Sequence, residues 1–275
     1  MIDLHTHSTA SDGAFSPAEL MRRAHAGGLT AIALTDHDSL DGLPEAAAEA
    51  AALGMRFVKG VEIEIAFAPG EFHLLGLDLG EISPELAGAA GELARSRDDR
   101  NRAVFELLRE VGVEADYDEL KREAGGGMIG RPHIAELMVR KRLVRSKQDA
   151  FDRYLAKGRP FFVQKACLDL GRALDLIHGS GGLAIVAHPL SLFVSWTRMR
   201  ALMAEWVEMG IDGIEAWHPT AKAKDCARLQ ALGAEFGLRL TAGSDYHGPT
   251  RPERRLGWTA GDMPIDDSWL KALER

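Results

Sequence analysis

The sequence predicts an α/β fold, a mainly parallel sheet rolled into an incomplete (β/α) barrel and interrupted by an all-helical insertion. Three observations predict it. Short apolar runs recur along the chain, "IDL", "TAIALT", "RFVKGVEIEI", "FHLLGLDL", "GLAIVAH", "GIDGIEAW" and "LRLTAGS". Amphipathic segments follow most of them, and strands alternating with helices at this pace make βα units. Between about residues 83 and 158 the strand pattern disappears and apolar residues recur at helical spacing instead. About seven strands suit a barrel better than a long open sheet, with a doubly wound sheet as the alternative. Both architectures bind ligands at the carboxyl ends of their strands.

The elements can be justified in chain order. "IDL" is the first strand. "SPAELMRRAHAGG" is a helix, with Ser16, Pro17 and Glu19 as its start signal and Gly27 and Gly28 as its stop. "TAIALT", "RFVKGVEIEI" and "FHLLGLDL" supply three more strands. The insertion begins with the long periodic run "ELAGAAGELARSRDDRNRAVFELLREVG", which ends at Gly112. Behind it come "DYDELKREAGG", "RPHIAELMVRKRLV" and "SKQDAFDRYLAKG". The three glycines before "MIGRPH" read as a flexible turn. The last three apolar runs complete the sheet, so residues 1–82 and 159–275 form one discontinuous domain around an insertion at 83–158.

Composition narrows the function classes. The 275-residue chain is 46% hydrophobic and 27% charged, which describes a globular protein with a sizeable core. Its longest apolar run falls far short of the roughly 20 residues of a spanning helix. No basic segment followed by an apolar one opens the chain, so a cytoplasmic location is expected. Cys167 and Cys226 form no CxxC pair and read as small buried hydrophobes. A formal charge of −8 argues against stable duplex-DNA binding. The charge is uneven: between Arg131 and Lys165 ten basic residues face three acidic ones. Either a solvated helical face or a site for an anionic substrate accounts for that excess.

Histidines and carboxylates collect where the strands end. His5 and His7 stand two apart, on one face of an extended chain. "LTDHD" ends a run in Asp36, His37 and Asp38, and "GVEIEI" carries Glu62 and Glu64. His73, His188, Asp245 and His247 follow at later strand ends. Such groups are rarely buried without partners. A hydrogen-bonded polar cluster explains any one of them, but a shared set of divalent cations explains the whole set better. Imidazole and carboxylate without thiolate suit Zn²⁺, Mn²⁺ or Fe²⁺ rather than Ca²⁺. His25 and His178 sit on predicted surface helices and carry no such expectation.

"DLHTHSTASDG", "LTDHD", "GVEIE", "HLLGLD", "VAHP" and "AGSDYH", in this order, resemble the polymerase and histidinol phosphatase (PHP) domain family. The resemblance covers roughly residues 1–80 and 160–260. It is nearest to stand-alone bacterial members with a helical insertion, which act as 3′,5′-nucleoside bisphosphate phosphatases or as 5′→3′ exonucleases on short RNA and DNA. The fold it implies is a distorted (β/α)₇ barrel with two to three divalent metal ions at the strand exits. By motif, His5, His7, Glu62 and Asp245 hold the first metal. Glu62 bridges to a second, also bound by His73 and His188. Asp12, His37 and His247 hold the third, Asp12 standing where some relatives have histidine.

Glu64 is expected to support this set, Asp36 and Asp38 to orient neighbouring imidazoles, and Glu215 and His218 in "GIEAWHP" to lie near substrate. Phosphate ester hydrolysis by in-line attack of metal-bound hydroxide is the implied chemistry, with Glu62, Asp245, His247 and Arg131 as the residues carrying it. The chain has no GxSxG elbow and no P-loop lysine. In "GRPH", Pro132 near a helix start leaves Arg131 and His133 at the positive end of the dipole, suited to a phosphate. Lys165 is a further phosphate-binding candidate. A basic insertion beside an acidic metal site favours a substrate with more than one phosphate. The expected reaction releases the 3′-phosphate of 3′-phosphoadenosine 5′-phosphate. A 5′→3′ exonuclease on short oligonucleotides is the alternative, followed by a histidinol phosphate phosphatase and a non-catalytic metal-binding module.

Overall fold

In the computed structural model, residues 1–123 and 127–274 are described, so the first two of the three glycines expected to form a turn lie outside them. The chain divides into two compact units, Met1–Ala89 with Cys167–Arg275, and Ala90–Ala166.

The larger unit is built on seven strands hydrogen-bonded in sequence order. They are β1 (Ile2–Asp3), β2 (Ala31–Leu34), β3 (Arg56–Ile65), β4 (Phe72–Leu77), β5 (Leu183–Val186), β6 (Gly213–Trp217) and β7 (Arg239–Ala242). Just past the first and last strands, Thr6 bridges to Tyr246, and the His7 N–H donates to the Tyr246 carbonyl at 2.9 Å. That contact draws the sheet nearly closed. A distorted (β/α) barrel results, as the alternation of runs and helices predicts.

One feature departs from the mainly parallel sheet expected. β4 runs antiparallel to both β3 and β5. Only residues 66–71 join β3 to β4, whereas parallel neighbours need a crossover of about a dozen residues or more. The hairpin is therefore forced by chain length. It sets Glu62 opposite Leu75, which makes His73 the diagonal neighbour of Glu62 on the same face.

Helices cover the outside. α1 (Pro17–Ala26) starts at Ser16, whose hydroxyl accepts the Glu19 N–H, and ends at Gly27. With α2 (Leu43–Ala52) it buries Ile32 and Leu34 of β2 beneath Leu20, Met21 and Ala46. The opposite pleat of the sheet gathers Ile2, Leu4, Val58, Leu75, Leu77, Ile185 and Ala242 in a second cluster, the barrel interior. The two-residue period places Glu62, His73 and Glu215 on this inward face, beyond the apolar layer.

The smaller unit is helical. α3 (Pro84–Glu110) enters it and stops before Gly112, whose φ is 81°. α4 (Tyr117–Glu123), α5 (Arg131–Arg140) and α6 (Lys147–Ala150) follow, the last continuing into a π-turn at Phe151–Leu155. Its own core packs Phe105, Leu108, Tyr117, Ile134, Met138 and Leu155. Three helices of the larger unit complete the main elements, α7 (Leu170–Gly179), α8 (Trp196–Met209) and α9 (Ala223–Glu235). No helix among the described residues is long and apolar enough to cross a membrane.

Candidate metal centre

Glu62 is the hub of the strand exits, fully buried and ringed by imidazoles. Its Oε2 lies 3.3 Å from His5 Nε2, 3.3 Å from His7 Nε2 and 2.9 Å from His37 Nδ1. Its Oε1 lies 2.8 Å from His73 Nδ1 and 2.9 Å from His188 Nε2. Asp245 Oδ1 approaches His7 Nε2 at 3.1 Å and His5 Nε2 at 3.6 Å. Asp12 Oδ1 stands 3.1 Å from His247 Nε2 and 3.8 Å from His37 Nε2.

Three overlapping groups emerge that can each hold a cation: His5, His7, Glu62 and Asp245; His7, Asp12, His37 and His247; and His37, Glu62 and His73. His188 joins this constellation with its Nε2 on Glu62 Oε1. All nine residues expected to be ligands therefore surround one place.

The chemistry of the donor set fits metal ions. His5 Nε2, His7 Nε2, Asp12 Oδ1, Glu62 Oε2, Asp245 Oδ1 and His247 Nε2 are buried without a hydrogen-bond partner. Leaving one such atom unsatisfied costs about 1–3 kcal/mol, and cations shared among the six would satisfy them. Ligands about 2.1 Å from a common cation stand about 3.0–3.4 Å apart, close to the separations within the first group.

The nitrogens turned away from this centre are tied down, which fixes the rings that face it. His5 Nδ1 meets Glu215 Oε1 at 3.0 Å, and the other Glu215 oxygen accepts the His188 N–H at 2.8 Å. His247 Nδ1 meets the Asp245 carbonyl at 2.8 Å, and His188 Nδ1 meets the Ser191 hydroxyl at 3.0 Å. His188 and Asp245 reach inward because the chain turns left-handed there, with φ of 26° and 50°. Such backbone strain is uncommon outside glycine and clusters at functional sites.

Asp3 clasps the strand ends, accepting from the N–H groups of His5, Ser244 and Gly257 and from the Ser244 hydroxyl. Burial, opposed by these bonds, raises its pKa to about 6.

Charge is shared across the centre. Burial alone would raise the Glu62 carboxyl, but His37, His5 and His73 hold it well below the ordinary range. Burial works against charging His7, yet the Asp245 and Glu62 carboxylates beside it lift its pKa to about 9. His247 goes the other way, to about 3, because burial outweighs Asp12. Without metal, protons thus offset the carboxylates, and metal binding must displace them.

The other expected residues are placed as follows. His218 is buried, its Nε2 3.2 Å from Asp245 Oδ2 and its Nδ1 2.8 Å from the Thr220 hydroxyl, so it braces Asp245. Asp36 does not touch an imidazole: Ser8 and Ser11 occupy its oxygens, and Ser11 lies 3.5 Å from His7 Nδ1. Asp38 accepts the Glu64 N–H at 3.3 Å. In the smaller unit Arg131 opens α5, and His133 Nδ1 accepts the Gly130 N–H at 3.0 Å, capping its own helix. Lys165 is buried, its ammonium 3.3 Å from the Ala166 carbonyl. Cys226 is buried as expected, whereas Cys167 is partly exposed. His25 and His178 lie on exposed helix faces.

Two arginines escape the sequence reading. Arg254 pairs with Asp245 Oδ2, and Arg251 lies 3.7 Å from Asp12 Oδ2 and 3.9 Å from Asp245 Oδ2. The signal available was a run of three arginines, 251, 254 and 255, just after "SDYH". Both Arg251 and Arg254 line a 380 Å³ cavity that also exposes His37, His73, His188 and Asp245.

A near-closed barrel with buried imidazoles and carboxylates at its strand exits is the active-site arrangement of a metal-dependent phosphoesterase. The chain belongs to the PHP domain family, whose model matches residues 3–120. It is 36% identical to a 5′-3′ exoribonuclease of Haemophilus influenzae, over 99% of this chain and 98% of that one. It is 34% identical to a 3′,5′-nucleoside bisphosphate phosphatase of Chromobacterium violaceum, over 99% and 96%. Among solved structures, one from Chromobacterium violaceum, named an amidohydrolase and holding sulfate without metal, superposes with a TM-score of 0.87. It is 32% identical, with 99% of this chain and 95% of that one covered.

Proposed function

We propose that the protein removes the 3′-phosphate of 3′,5′-nucleoside bisphosphates such as 3′-phosphoadenosine 5′-phosphate, with two to three Mn²⁺, Zn²⁺ or Fe²⁺ ions at the barrel rim. One observation carries the reading: six buried, unsatisfied ligand atoms stand beside a cavity walled by arginine. At 380 Å³ that cavity is in the range for a single small molecule. The likeness to the bisphosphate phosphatase supports the same substrate.

His5, His7, Glu62 and Asp245 would hold the first ion; Glu62, His73 and His188 the second; Asp12, His37 and His247 the third. Bound there, divalent cations acidify a water and neutralise phosphoryl oxygens as charge builds. Glu62, Asp245 and His247 would act by holding the ions in place beside the reacting phosphate. Among the described residues the Arg251 guanidinium makes two long ion pairs and no side-chain hydrogen bond, so its N–H groups can turn to a phosphoryl oxygen. Arg254 neutralises the outer oxygen of Asp245, and His218 braces the same carboxylate. Arg131, His133 and Lys165 are assigned to the 5′-phosphate.

The likeness to an exoribonuclease supports a second reading, release of mononucleotides from the 5′ end of a short oligonucleotide. Protein stripped by chelation and reconstituted with Mn²⁺ separates the two. Phosphate release from the bisphosphate is expected to exceed mononucleotide release from a 5′-phosphorylated oligoribonucleotide in kcat/KM. Shortening of the oligomer with no phosphate from the bisphosphate overturns the first reading. An unchanged KM and kcat in Arg131→Ala overturns the assignment of that arginine.

A further inference from the structure

Phe193 is 76% exposed and has a left-handed backbone, φ 51°. A bulky residue there is uncommon, and nothing inside the protein repays it: the ring has no aromatic or cationic partner among the described residues. The turn that presents it is rigid. Leu192 is buried beneath it, and the Phe193 N–H donates to the Leu190 carbonyl at 3.2 Å. The β3–β4 link grips the turn from the side: the Glu71 N–H donates to the Ser191 carbonyl and the Ser191 hydroxyl to the Glu71 carbonyl, both at 2.9 Å. Gly70 packs so closely that a Cβ there would lie 2.2 Å from the Ser191 carbonyl oxygen.

This turn follows directly from His188, and Ser191 holds the His188 ring. Phe193 lines the same cavity as His73, His188, His218 and Arg251. A flat apolar ring thus stands out on a cavity whose lining also carries Arg251 and Arg254. Its natural cover is another flat ring belonging to the molecule that carries the phosphate.

We propose that Phe193 is the platform on which the substrate's nucleobase stacks, an inference that rests on the nucleotide phosphatase reading above. Stacking is tolerant of base identity because every base presents a π-face. The site therefore discriminates nucleotides from base-free phosphate esters more strongly than one base from another.

The test compares wild type, Phe193→Ala and Phe193→Trp on adenosine 3′,5′-bisphosphate and on the abasic 1-deoxyribose 3,5-bisphosphate. In Phe193→Ala the nucleotide-to-abasic ratio of kcat/KM is expected to fall about 5- to 100-fold, mainly through KM, and Phe193→Trp to restore it. A 2-aminopurine analogue of the nucleotide gives a second readout: its fluorescence is quenched on binding to wild type and less so on binding to Phe193→Ala. An unchanged ratio in Phe193→Ala, or equal quenching, overturns the platform and leaves the phosphatase reading standing. A wild-type protein that turns over phosphate esters but no nucleotide overturns both.

Discussion

Gly243 tests the architecture without replacing any of the nine candidate ligands. A Cβ built there would lie 2.3 Å from His5 Cβ and 2.7 Å from Glu215 Oε1. Carbon atoms in contact stand about 3.5 Å apart, so Gly243→Ala must push His5 away by about 1 Å. The displaced ring is the one whose Nε2 faces Glu62 and Asp245 and whose Nδ1 is held by Glu215. A misplacement of this size costs about 10²-fold in rate, and overpacking costs about 1–3 kcal/mol of stability. Gly88, inside α3, is the matching control, because a Cβ there meets nothing within 4 Å. Gly88→Ala is expected to raise stability by about 0.5–1 kcal/mol and leave turnover alone. Metal content after dialysis, thermal melting and phosphate release are measured on both. Gly243→Ala with wild-type metal content and a kcat within threefold of wild type would refute the reasoning.

Other consequences follow from single contacts. Glu215→Gln removes the charged partner of His5 Nδ1 and is expected to weaken metal affinity about 10- to 100-fold, read by titration with a competing chelator. Arg251→Ala is expected to keep its metal and lose about 10²-fold in kcat/KM, with weaker inhibition by inorganic phosphate; unchanged inhibition removes Arg251 from the substrate site. In the smaller unit, burial would raise the Asp98 carboxyl, but Tyr117, Lys121 and Arg102 hold it below its ordinary value. Its folded pKa is depressed, so its stabilising contribution is present above about pH 4 and lost as the pH falls through the folded value. Urea melts of Asp98→Asn against pH are therefore expected to be flatter on the acid side, and an equally steep curve counts against this.

What was readable in the sequence was whatever obeys a short period. His5 and His7 two apart, and Glu62 continuing the inward pleat after Val58 and Gly60, follow from strand geometry alone. The helix at Pro17–Ala26 carries its own start and stop residues. The reversed direction of β4 was also present, in a link too short to cross over, but the count of runs hid it. The supporting contacts are long-range and have no period. Glu215 is 210 residues from the imidazole it holds, and Arg254 belongs to a loop whose pairing with Asp245 depends on where the barrel closes. Phe193 looks like an ordinary apolar residue until the turn exposes it.

The most direct measurement is anomalous diffraction at the manganese edge from crystals of chelated and then Mn²⁺-reconstituted protein. Density is predicted among His5, His7, Glu62 and Asp245, with further peaks beside His73 and beside Asp12 and His247. Crystals that bind manganese elsewhere, with no peak between Glu62 and the two N-terminal histidines, would contradict the account.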